Sequence, residues 1–378
     1  MDWATSLLPL IAAGNAESLR QWFGTHELTL ERAVWLADQG LAPVVCDRLQ
    51  HANCLTGLAP DVQSVFRTAS YHTTAQNLLL LKELGDLLAH LRAAGVEPLV
   101  LKGMALGTTI YPSLFTRPMS DLDLLIAEAD IDTVKQIFQA SGYRDMGLNP
   151  EQNTAFPAHL HVWRDYPNDQ RIIIEAHWSL FHEVGFRQLN LSEVWRRARQ
   201  VDFEGQTFRV LDPIDHLIHA CGHLLLHHTQ SWNLIWLFDL RMLIKHYGAQ
   251  WDWQEVVSRA AVSHLAGAVR YWLEVTADWF GAFLPSDAVQ VLAKVQAAPE
   301  EAWHIQISQQ DRLRIWQVFW KRGRGQSLRQ RLATYQQIVF PPWAYMQYRY
   351  GARSRLLSPI YYGWRGLRAL WLAFRRSA

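Results

Sequence analysis

A chain of 378 residues suggests two or three domains, because a single core rarely grows past about 250–300 residues. With 49% hydrophobic and 19% charged residues it is globular, and a disordered chain is excluded; 18 tryptophans within 12% aromatics predict well-filled cores or a surface that grips something flat or greasy. The formal net charge of +1 hides an asymmetry: Lys321 to Ala378 carry 12 of the 36 Lys/Arg and no acid, so residues 1–320 hold 24 basic against 35 acidic side chains, a net of −11.

Residues 1–95 read as a helical region. In NLLLLKELGDLLAHLRAAG, apolar side chains at 80, 81, 84, 87, 88 and 91 keep a 3.6-residue rhythm, and Gly95 is placed to stop the helix. The pattern changes over residues 96–205. VEPLVLKG (96–103) is a short branched-apolar run that reads as a buried strand, and SDLDLLIA (120–127) alternates as a second. Asp130 is placed to cap a helix running to about 140 and stopped near Gly142. HLHVWRD and RIIIEAHWSL flank the turn-rich YPNDQ, a hairpin pattern. Helical patterns return over 206–320, beginning with DPIDHLIHACGHLLLHH and WNLIWLFDLRMLIKHY, and a basic aromatic tail occupies 321–378. The expected architecture is α+β: a small mixed β-sheet flanked by N- and C-terminal helical regions. No apolar run approaches the roughly 20 residues of a membrane span. The N-terminus has an acid at position 2 and no basic segment, a poor secretion signal. Cys46, Cys54 and Cys221 form no CxxC pair, so a reducing cytoplasm is the expected compartment.

The sharpest chemical signal is Asp121-Leu122-Asp123. Side chains at i and i+2 of a strand share a face, which sets two carboxylates side by side. Their repulsion is relieved by a divalent cation, and Mg²⁺ in particular is held by one or two carboxylates together with substrate phosphates. Taken alone, the dipeptide is better read as two exposed acids at a strand end. Glu175 adds a third acid inside the apolar run Ile172-Ile173-Ile174-Glu175-Ala176-His177-Trp178, where an unpaired charge is costly. Upstream, Gly103 at the end of a strand permits close approach of a phosphate, and Lys102 and Arg117 supply cations for it.

These residues resemble a known family. VLKGMALGTTIYPSLFTRPMSDLDLLI followed by IIIEAHWSL is similar to the nucleotidyltransferase superfamily with the polymerase-β-like fold. More narrowly it resembles the bacterial uncharacterised nucleotidyltransferase family, with its LKG…YP…R-x-x-x-D-x-D-L-L pattern and later E-x-H-W. The resemblance implies a sheet of nucleotidyltransferase type over 96–205, with the glycine turn at Gly103, the acid pair at Asp121 and Asp123 and the third acid at Glu175. It further implies Mg²⁺ or Mn²⁺, an NTP substrate with ATP first among them, and transfer of a nucleoside monophosphate to the hydroxyl of a small molecule, a protein or an RNA end. The sequence departs from the superfamily pattern at Met104, where a second Gly or Ser is usual, and in the 18-residue step from Gly103 to Asp121. The opposing class is a binding module that keeps the cleft without turnover.

Other residues carry weaker signals. His216, His219, His223 and His227 fall on one helical stripe. Without HExxH or a His-Asp pair they read as lining a cleft between helices and sheet, with Asp239 and Arg241 as substrate contacts. His177, two residues after Glu175, fits a partner of that acid and a core histidine equally. His159 and His161 alternate on the hairpin and read as exposed edge positions. In the tail, Ser358-Pro359 is a helix start, followed by an apolar seam of Ile360, Trp364, Leu367, Trp371 and Phe374 bordered by Arg365, Arg368, Arg375 and Arg376. Packing on the core is the expected use of that helix. Its alternatives are peripheral contact with an anionic inner membrane and contact with RNA.

Overall fold

The computed structural model describes residues 2–145, 159–167, 170–181, 186, 190–228, 232–309 and 358–365, with positions 332, 336, 340, 343, 346 and 354. Five helices come first: Asp2–Ala13 (α1), Ala16–Phe23 (α2), Leu30–Asp38 (α3), Ala42–His51 (α4) and the long Pro60–Ala93 (α5). Asn15 and Thr29 cap α2 and α3 through their side chains, and Gly95, at φ +80°, stops α5 in the left-handed region where glycine has no steric penalty.

The sheet is built from Leu99–Val100 (β1), Leu122–Leu125 (β2), Arg144–Asp145 (β3), His159–Asp165 (β4), Arg171–His177 (β5), Arg199–Phe203 (β6) and Gln206–Val210 (β7). Among the described residues its order is β3-β4-β5-β2-β1-β7-β6. It is mixed: β2 runs parallel to β5 and β1 parallel to β7, while the other neighbours are antiparallel. Between strands lie Lys102–Thr109 (α6), Ile131–Ala140 (α7) and Leu191–Arg197 (α8). After the sheet come Pro213–His227 (α9), Leu234–Tyr247 (α10), Trp253–Val262 (α11), Ala266–Phe280 (α12), Ser286–Leu292 (α13) and Pro299–Ser308 (α14).

Three local expectations change. The strand read over 96–103 is cut to two residues, because Lys102 turns the chain at φ +46° straight into α6. Asp130 stands at the start of α7 but makes no side-chain cap bond. The β6–β7 hairpin escaped the sequence reading; its two-residue turn, Glu204 and Gly205 at φ +48° and +74°, has the left-handed pair that matches strand twist.

Two cores result. One face of the sheet (Leu122, Leu124, Leu160, Val162, Ile172, Ile174) is buried with Leu80, Leu84, Leu87, Leu88 and Leu91 of α5 and Val134 and Phe138 of α7. The second core joins the first helices to the last: Leu7, Leu8 and Ile11 of α1 share it with Leu237 and Leu240 of α10 and Trp272 and Leu273 of α12. In the tail, residues 358–365 are helical, with Ile360 and Trp364 67% and 50% exposed. The remainder of the seam (Leu367, Trp371, Phe374) and Arg368, Arg375 and Arg376 lie outside the described residues. No helix among the described residues is long and apolar enough to cross a membrane.

Candidate active site

Strand register assembles the site. The parallel pairing of β2 with β5 sets Asp123 opposite Glu175 and Leu125 opposite His177. On the far side of β5, His161 of β4 pairs with Glu175 and His159 with His177. Opposed residues point to the same side of a sheet, so Asp123, Glu175, His177, His159 and His161 share the face that α5 does not cover. The Leu101 N–H donates to the Asp123 carbonyl at 2.9 Å, which ends β1 level with the acids and delivers Lys102 beside them.

The charges interlock at two oxygens. Lys102 Nζ donates to Asp123 Oδ1 at 2.7 Å and stands 3.7 Å from Glu175 Oε2. His177 Nε2 reaches the same two oxygens, at 2.9 and 3.5 Å. His161 Nδ1 holds the other oxygen of Glu175, Oε1, at 3.2 Å. Asp123 is 3% exposed, so its charge depends on these partners. Burial works against the Lys102 ammonium, but Asp123, Glu175 and Asp121 outweigh it and raise its pKa. Burial would raise Glu175, yet Lys102 and the hydrogen bond from His177 hold it well below the usual carboxylate range. His177 is lowered by burial but raised further by hydrogen bonds to Asp123 and Glu175, for a net rise.

Asp121, immediately before β2, sits differently. Burial first, then the charges of Asp123 and Glu175, push its carboxyl up to about 7. Three acids against one lysine leave excess negative charge at this point. The donor set fits a divalent ion: one ligand atom each from Asp123, Glu175 and His177 lie within 4.8 Å of one another, the single such group found among the described residues.

Of the residues singled out in the sequence, Asp121, Asp123, Glu175, Lys102 and His177 come together, and Arg117 and Asp239 come together with each other. Arg117 forks onto Asp239, Nη2 to Oδ2 at 2.7 Å and Nε to Oδ1 at 3.2 Å, and the Tyr111 hydroxyl donates to Oδ1 at 2.6 Å. The guanidinium is therefore engaged by a carboxylate, though its field still reaches Asp121. Gly103 is buried, and a Cβ there would stand 2.5 Å from Arg117 Nη1 and 2.7 Å from Met119 Cγ; its lack of a side chain lets α6 close on the Arg117 loop. His159 and His161 are not exposed edge positions: His159 is buried and His161 partly so, because β3 pairs outside β4. The role of His161 as a Glu175 partner was missed, although its alternation with Glu175 across the hairpin was the available signal. On α9, burial and then the charge of Lys102 hold His219 and His223 well below the ordinary histidine range, which puts this stripe within electrostatic reach of the site.

The mixed sheet thus aligns acids on parallel neighbours beside a lysine-bearing turn, a donor set that a divalent ion fits. Residues 30–281 match the sequence model of the uncharacterised nucleotidyltransferase family, and the chain belongs to that family. A crystal structure of an antigenic nucleotidyltransferase-like protein from Paracoccidioides brasiliensis is similar at 14% identity, over 52% of this chain and 91% of that one, with a TM-score of 0.31. No curated protein matches the sequence.

Proposed function

We propose that the protein moves a nucleoside monophosphate from an NTP, with ATP first among the candidates, to a hydroxyl of a small molecule, a protein side chain or an RNA end. The observation that carries this reading is the β2–β5 register, which sets Asp123 beside Glu175 with Lys102 bonded to the pair. Asp121, Asp123 and Glu175 would hold Mg²⁺ or Mn²⁺, which when bound supplies Lewis-acid charge to phosphate oxygens and acidifies the attacking hydroxyl. Glu175, kept ionised by its neighbours, is suited to take the acceptor's proton. Lys102 is placed to offset charge as the bond to the β-phosphate breaks and pyrophosphate leaves. Arg117, engaged by Asp239, contributes its field at Asp121 and the shape of the wall. A cytoplasmic location, with the basic tail meeting an inner membrane or RNA, belongs to the same proposal.

The test is incubation of purified protein with labelled NTPs, Mn²⁺ and cell lysate. Label should enter one acceptor fraction with matching pyrophosphate release, and Asp123→Ala should lower turnover by about 10³-fold or more while the fold persists. Unchanged metal-dependent turnover in Asp123→Ala would overturn the assignment. A second reading is favoured by the Lys102–Asp123 bond, in which an ammonium neutralises the acids: a binding module that holds nucleotide without turnover. It predicts nucleotide binding with no pyrophosphate from any NTP.

A further inference from the structure

We infer that His177 is a direct nitrogen ligand of the divalent ion, and that the site therefore prefers an imidazole-accepting ion such as Mn²⁺ over Mg²⁺. This rests on the metal-dependent reading above and goes beyond it, since an acid triad alone would offer only oxygen.

The geometry points this way at three places. First, His177 Nε2 is aimed between the acids, 2.9 Å from Asp123 Oδ1 and 3.5 Å from Glu175 Oε2. Three ligand atoms within 4.8 Å of one another already define a pocket of the size an ion needs. Second, the imidazole is anchored. It sits on the last residue of β5, opposite Leu125, and is 5% exposed, so it does not swing out to solvent when a cation arrives. Third, the oxygen of Glu175 that faces away from His177 is taken by His161 Nδ1 at 3.2 Å, which orients the carboxylate with Oε2 toward Asp123 and His177. Partners of this kind fix the direction of ligands at metal sites.

The Lys102 ammonium occupies the same place. It contacts Asp123 Oδ1 and approaches Glu175 Oε2, the two oxygens that His177 also reaches. A cation entering there displaces the Nε2 proton shared with the carboxylates, which leaves to solvent, and meets two carboxylate oxygens and one imidazole nitrogen. Mg²⁺ gives up water reluctantly and favours oxygen, whereas first-row transition ions accept imidazole. A buried nitrogen in the first set of donors therefore shifts the preference from magnesium toward manganese.

The experiment uses the full-length protein and Mn²⁺ alone, without nucleotide. Mn²⁺ titration followed by EPR should show one saturable site that is lost in Asp123→Asn. Pulsed EPR of the bound ion should show ¹⁴N modulation, which changes to the ¹⁵N pattern in protein grown with ¹⁵N-histidine. The modulation should vanish in His177→Gln, with Mn²⁺ bound about tenfold or more weakly, and persist in His161→Gln. Equimolar Mg²⁺ should displace little Mn²⁺. If His177→Gln does not fold, the isotope exchange in wild type together with His161→Gln still decides the point. An Asp123-dependent Mn²⁺ signal with no histidine nitrogen, modulation that survives in His177→Gln, displacement of Mn²⁺ by equimolar Mg²⁺, or no saturable site would each overturn the inference. The transferase reading fails separately, on absence of pyrophosphate release from every NTP, and that result leaves the nitrogen ligation standing.

Discussion

Lys102 is the residue on which the site's two roles meet. It is the turn residue that ends β1, at φ +46°, and a non-glycine residue in that region carries strain that the surroundings must hold. Its ammonium then offsets acids that would otherwise repel one another. Under the proposed metal-dependent reading, the same contact would make it a competitor for the divalent ion. Lys102→Met should therefore tighten nucleotide-free Mn²⁺ binding several-fold while lowering turnover, as read by EPR titration and pyrophosphate release. Weaker Mn²⁺ binding in that variant would mean that the lysine supports the ion and does not compete with it. The acids themselves were legible from Asp-x-Asp and from the cost of Glu175 in an apolar strand. The lysine's bond to Asp123 was not, because it depends on β1 ending level with the acids on β2.

At the scale of elements, α9 carries the most unusual chemistry. Its first two histidines, His216 and His219, are buried against the body, and burial first, then the Arg117 charge, pulls His216 down to about 3. His219 and His223 are depressed as well. A folded-state value below the unfolded 6.5 means that the unfolded chain takes up a proton first as pH falls. The stability is complete above about pH 6.5 and is lost progressively below it, toward pH 3 for His216. For that residue the loss at pH 5 is about 2 kcal/mol. Urea unfolding at pH 7.5 and 5 should show a His216-dependent fall of this size, so that the change in stability between the two pH values is more unfavourable in wild type than in His216→Leu; an equal change in the two proteins would contradict it. The four-histidine stripe was visible in the sequence as a period. That His219 and His223 lie within electrostatic reach of Lys102 could not be read, since helical periodicity gives a face but not its neighbour.

At the scale of the whole molecule, the sheet is fastened to the helical body by Arg117, Asp239 and Tyr111. These buried groups come from the loop before β2, from α10 and from the segment after α6. Arg117→Ala leaves the Asp239 carboxylate buried without its cation and should cost about 3–5 kcal/mol, while Arg117→Met with Asp239→Leu together should recover much of that. Urea midpoints of the three proteins decide it, and an alanine variant within about 0.5 kcal/mol of wild type would show the pair to be dispensable. The clamp joins the two cores, one between α5 and the sheet, the other shared by α1 and α10 through α12.

Sequence by itself determined most of the elements, the β6–β7 hairpin excepted, and the reactive residue types. Period 3.6 marked the helices, alternation marked β2, the runs flanking a turn-rich segment marked β4 and β5, the Asp-x-Asp spacing marked Asp121 and Asp123, and the cost of charge inside an apolar strand marked Glu175. These are local properties, set by backbone sterics and by the transfer of side chains from water. Tertiary structure alone decided the partners. It set the parallel β2–β5 register, placed Lys102 and His177 on the same two oxygens, committed Arg117 to Asp239, and brought the first helices against the last. Each of these joins residues dozens to hundreds of positions apart, and such pairings follow from how whole faces find enough apolar surface to bury, which no single stretch of chain encodes.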